Sequence, residues 1–80
     1  MALEDEREQI KRWLDALYRT TPVVTQIDAV VRAETFDLPA DMMDIVNVLP
    51  SGRYSRARLT DHLNSAITGR GLSRQLGTHD

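Results

Sequence analysis

Three arginines, Arg53, Arg56 and Arg58, crowd one short stretch, VLPSGRYSRARLTDHL at residues 48–63, where a helix starts. Guanidinium forks bind phosphates and carboxylates, so nucleic-acid contact is the first chemistry to weigh. A recognition helix needs polar and basic side chains that converge on one groove-facing side. On a helical wheel with Leu59 at zero, Arg56 falls near +60° and Arg58 near −100°, about 160° apart. The face between them carries Ala57, Thr60, Asp61, Asn64 and Ser65, nearly uncharged and with an acid in its middle. Cations in a first helical turn also oppose the helix dipole. The spacing favours solvated or salt-bridged arginines, with contact to a protein partner next and contact to nucleic acid last. Arg53, Arg70 and Arg74 lie on irregular segments and can gather with them in three dimensions.

The other chemistry-bearing residues offer less. Glu34, Asp37, Asp41 and Asp44 surround a break in the chain, and oxygen ligands of this kind bind calcium or magnesium. The D-x-D-x-D-G spacing is absent, Leu38-Pro39 interrupts the loop, and acids at a helix start already suit the dipole. His62 falls at the edge of an apolar stripe, as a boundary histidine with one nitrogen bonded. With His79 as the second histidine and no cysteine, zinc is not expected. No G-x-S-x-G, phosphate-cradling loop or dinucleotide fingerprint occurs, and no serine has a visible base. The sequence reads as non-catalytic, with no metal and no cofactor. Met42, Met43 and Val48 suggest an adaptable apolar surface, with Met43 and Val48 on the side that a partner would cover.

The elements that must hold these residues follow from composition and periodicity. Eighty residues make one domain with a thin core, and no disulfide supplements it. Nine arginines and one lysine stand against twelve acids, for a net charge of −2, which argues against a general nucleic-acid binder. No apolar run is long enough to span a membrane, and the acidic N-terminus is no signal peptide, so the cytoplasm is expected. In the first helix, Leu3, Ile10, Trp13, Leu14, Leu17 and Tyr18 share an arc, with Glu4, Asp5 and Glu6 at its positive end. Thr21 and Pro22 form a cap and first helical residue, and Val23, Val24, Ile27, Val30 and Val31 follow a helical rather than alternating pattern. Met42, Ile45, Val46 and Leu49 mark a third helix. Ser55 caps a fourth, Tyr54 and Leu59 have the spacing of a hydrophobic staple, and Gly69 is the stop. Its buried stripe is Leu59, Leu63, Ala66 and Ile67.

The stretch LPADMMDIVNVLPSGRYSRARLTDHLNSAI, with Leu49-Pro50, Tyr54, Leu59, Leu63 and Ile67, resembles a family of short bacterial helical domains of unknown function. In that family a helix ends in Leu-Pro, three variable residues follow, then Tyr and a last amphipathic helix. The resemblance covers residues 23–67. It implies a compact helical domain and carries over no functional residue.

The expectation is therefore an all-α fold: a compact bundle of three or four short helices at about 3–19, 22–34, 39–49 and 56–68. Residues 1–69 form the domain and residues 70–80 a flexible tail, in which Leu72 and Leu76 make a short apolar stripe if the tail turns helical. The core is expected around Trp13, Leu17, Ile27, Val30, Ile45, Val46, Leu49, Leu59, Leu63 and Ile67. The expected function is a non-catalytic protein–protein interaction or regulatory module of a bacterial cytoplasm, bound to a protein partner or to a second copy. Met43, Val48, Arg53, Arg56 and Arg58 are its candidate contact residues. The alternative is a small helix-turn-helix DNA-binding regulator built on the third and fourth helices.

Overall fold

A computed structural model describes residues 2–77 and 79, without the side chains of residues 2–5, 73 and 75. The expected inward position of Leu3 and the charges of Glu4 and Asp5 lie outside that set. Helix α1 spans Ala2–Leu17 and buries Ile10, Trp13, Leu14 and Leu17, the three- and four-residue spacing of one face. Its Glu8–Arg12 pair is 3.7 Å apart, with both side chains more than half exposed, so it adds little stability.

The next segment departs from expectation. Val23–Thr25 is a short strand, β1, and helix α2 begins only at Gln26, running to Thr35. Thr21 is not the helix cap. Its hydroxyl donates to the Val23 carbonyl at 2.9 Å and so braces the strand. Thr25 is the cap: its Oγ1 accepts the Asp28 amide at 3.2 Å, and the Asp28 carboxylate accepts the Thr25 amide at 3.1 Å. This reciprocal box satisfies two amides that a helix start leaves open. The β-branched pair Val23-Val24 suits extended backbone once a partner strand is present.

That partner is β2, Arg53–Ser55, paired antiparallel with Val24 opposite Tyr54. The fold is thus predominantly helical but not purely all-α. Helix α3, Ala40–Asn47, buries Met42, Ile45 and Val46. Helix α4, Arg56–Gly69, buries Leu59, Leu63 and Ile67, and Ser55 caps it by accepting the Arg58 amide at 3.2 Å. Tyr54 and Leu59 are both buried in the core, as a staple requires.

Helices α2 and α4 end alike. After α2, the Leu38 amide donates to the Ala33 carbonyl and the Asp37 amide to that of Glu34; Asp37 takes the left-handed conformation at φ 52°. After α4, Leu72 donates to Ile67 and Gly71 to Thr68, with Gly71 left-handed at φ 71°. Both are Schellman closures, with a leucine folded back over the last turn. The stop of α4 is therefore Gly71, and Gly69 is still helical.

The C-terminal segment, expected as a flexible tail, is packed over residues 70–77. Ser73–Leu76 forms a short helix, α5, and Leu76 is fully buried. Arg7 donates to the Arg74 carbonyl at 2.9 Å, tying α5 to α1. The Asn64 amide grips the His79 backbone at both its N–H (2.8 Å) and its carbonyl (2.7 Å). Residues 78 and 80 lie outside the described set.

The core also differs at α2. Ala29 and Ala33 face inward while Ile27 is 70% and Val31 56% exposed. Val30 is half-buried against the core. The cause is close approach: the Trp13 indole N–H donates to the Ala29 carbonyl at 3.1 Å in the interior. Only a methyl-sized side chain lets the indole come so near the helix backbone, and a buried indole N–H needs that acceptor.

Candidate functional site

Tyr54 organises the surroundings of the candidate arginines. Its ring is buried and its hydroxyl donates to the Pro50 carbonyl, closing the loop from residue 50 to 54. This bond gives the Leu-Pro-x-x-x-Tyr spacing a physical role: Leu49 anchors in the core, Pro50 ends α3, and Tyr54 returns to its carbonyl. Tyr18 donates to the Tyr54 carbonyl at 2.9 Å, linking the end of α1 to β2. Burial raises the Tyr18 phenol from its usual 10 to about 12, partly offset by the nearby Arg56 charge. His62 meets the Tyr54 ring edge-on, with centroids 5.4 Å apart, in its expected place at the edge of the stripe.

The three arginines part company on this frame. Arg56 reaches across to α1 and pairs with Asp15 at 2.8 Å. Arg58 lies with its guanidinium carbon 5.8 Å from the centre of the Tyr54 ring, a cation–π contact. Arg53 is exposed on β2 and borders a groove of about 280 Å³ with Thr25, Gln26, Ile27, Ser51 and Gly52. Helices α3 and α4 are separated by residues 48–55, which include β2; a helix-turn-helix pair is joined by a turn of ~3–4 residues.

The two apolar candidates also separate. Met43 is half-buried against the core, beside a groove of about 290 Å³ that it shares with Ala33, Glu34, Asp37 and Leu38. Val48 is 67% exposed at the end of α3. Among the described residues no group of three or more histidine or acidic side chains is placed to hold a metal ion. No helix among them is long and apolar enough to cross a membrane.

The site that sequence reasoning missed is the outward side of α2. Ile27 and Val31 are one turn apart and face away from the buried Ala29 and Ala33. The Gln26 side chain donates to the carbonyls of Val46 and Asn47, at 3.2 and 3.4 Å, which fastens the first turn of α2 to the end of α3. Ile27 and Val48 are the immediate chain neighbours of that tie. Among the described residues, the large apolar side chains left most exposed are Ile27 and Val31 on α2 and Val48 at the end of α3. Beyond Val31 lies a groove of about 480 Å³, bordered by Ala16, Leu17, Thr20, Asp28, Arg32 and Thr35. The signal is present in the sequence: α2 has two apolar arcs, and the arc of alanines is the one that fits against a tryptophan. No known protein family, curated protein or solved structure matches this chain.

Proposed function

We propose that this chain is a non-catalytic protein–protein interaction or regulatory module of a bacterial cytoplasm, which acts by burying an apolar helix face against a partner. The observation that carries the reading is the outward ridge of Ile27 and Val31 on α2, each more than half exposed. Single exposed apolar residues are ordinary, but a group of them bordered by grooves and charges is the make-up of an interaction surface. Arg53 borders the groove beside Ile27, and it and the exposed Val48 at the end of α3 are the first further contact candidates. Met43, Arg56 and Arg58 are engaged with their own chain, so their part is to shape the surface.

The test pairs affinity capture with a DNA arm. Immobilised wild-type chain should retain a protein from lysate that a Val31→Asp bait of equal helicity does not. Binding to duplex DNA that falls steeply with salt and is untouched by Val31→Asp would overturn the reading in favour of a DNA-binding regulator, because phosphate contacts release counterions.

A further inference from the structure

We infer that the outward face of α2 takes α2 of a second copy of this chain, packed antiparallel about a two-fold axis level with residue 30. The inference rests on the interaction reading above and names its partner. The argument is charge complementarity. At about 100° per residue, Ile27 and Val31 form the outward ridge and Asp28 and Arg32 lie together along one flank of it. Both charged residues are exposed. The Arg32 side chain has no hydrogen bond or ion pair among the described residues, whereas the Asp28 carboxylate accepts one bond, from the Thr25 amide of its own cap, and has capacity for more.

A two-fold axis between antiparallel helices brings like flank against like flank with the order reversed. Level with residue 30, it sets Asp28 against Arg32 of the second copy, and Arg32 against Asp28 of the second copy. Two reciprocal pairs form, as an isologous interface requires. The same operation brings Glu34 level with Gln26 of the second copy, so no two carboxylates meet. A parallel arrangement would set Asp28 on Asp28 and Arg32 on Arg32. A ten-residue helix is about 15 Å long, so the contact is small and the dimer is in concentration-dependent exchange.

Sedimentation of the purified chain over a wide concentration range should show a monomer–dimer equilibrium. Arg32→Asp should weaken it about tenfold or more, and Asp28→Arg with Arg32→Asp should recover most of the loss. The chain has no cysteine of its own, so single cysteines report geometry directly. Val31→Cys, close to the axis, should form a disulfide-linked dimer under mild oxidation well before Ser65→Cys, exposed on α4. A monomer at every concentration, or equal crosslinking of the two cysteine variants, overturns the proposal. A chain that stays monomeric yet still captures a protein through Val31 separates the two claims: the interaction reading stands and the second copy falls.

Discussion

Two segments of this chain share one local construction and use it in opposite ways. Val23–Thr35 and Arg53–Gly69 each begin with a three-residue strand, and the two strands pair with each other. Each strand ends in a hydroxyl residue that caps the helix directly behind it, Thr25 in one and Ser55 in the other. Each helix closes with a left-handed residue and a leucine folded back, Asp37-Leu38 and Gly71-Leu72. Yet α4 turns its large side chains inward, with Leu59, Leu63 and Ile67 fully buried, while α2 turns alanines inward and leaves Ile27 and Val31 in water. Local hydrogen bonding therefore decides where each helix starts and stops. Which of its faces is buried is decided by the neighbour. Trp13 against α2 demands small residues, and the space under α4 demands large ones.

The largest test of that contrast puts one acid on each ridge. Leu63→Asp buries an unpaired charge, a cost of several kcal/mol and comparable with the ~4–12 kcal/mol that hold a domain of this size together. It should abolish the cooperative thermal transition seen by circular dichroism. Val31→Asp, on the exposed ridge, should stay within about 0.5 kcal/mol of wild type. Equal damage from both would mean that the α2 ridge is core after all.

The caps come next. Thr25→Ala and Ser55→Ala should each cost about 1 kcal/mol, or a fall in melting temperature of roughly 4–8 °C. Thr21→Ala, beside a strand rather than at a helix start, should cost less than Thr25→Ala. The reverse order would return the cap to Thr21. The Asp28 side of the box sharpens the comparison, because α4 has Arg58 in the equivalent position and no reciprocal bond. Asp28→Ala should therefore lower stability where Arg58→Ala leaves the Ser55 cap intact.

The mildest test reads the link between the two segments. The Tyr18 hydroxyl donates to the Tyr54 carbonyl only while protonated. Its pKa is raised in the folded state, from 10 to about 12, so the folded chain holds this proton more tightly than the unfolded chain. The resulting stabilisation is complete below pH 10 and is lost as pH rises from 10 to about 12. Melts at about pH 9 and about pH 11 should diverge more in wild type than in Tyr18→Phe, with the phenol followed by ultraviolet absorbance. An unchanged divergence in the variant would assign the alkaline loss to other groups.

Much of α4 is legible in the sequence. Ser55, Tyr54, Leu59, Leu63 and Ile67 lie within one continuous stretch, and capping and helical periodicity act over three to four residues. The same holds for Ile10, Trp13, Leu14 and Leu17 of α1. The strand at Val23–Thr25 is hidden because its hydrogen-bond partner is about thirty residues away, and a β-branched run reads as helix or strand until that partner is known. The Schellman turn at Asp37 is hidden because aspartate stands where glycine usually signals such a stop. Leu76 reads as tail because four residues of helix carry too little periodicity to declare a buried side.

The candidate site divides in the same way. The helical wheel alone separates Arg56 from Arg58, and the structure gives each its own contact, Asp15 for one and the Tyr54 ring for the other. Val48 reads correctly as outward, while Ile27 reads as core because an apolar residue at helical spacing is usually buried.

Taken alone, the chain's order of residues settled where most of the helices begin and end, since those choices are made by atoms a few bonds apart. Assembly of the whole settled which face of α2 meets solvent, where the two strands meet and which acid holds Arg56. Each of those depends on groups distant in sequence, whose positions exist only once the core has closed.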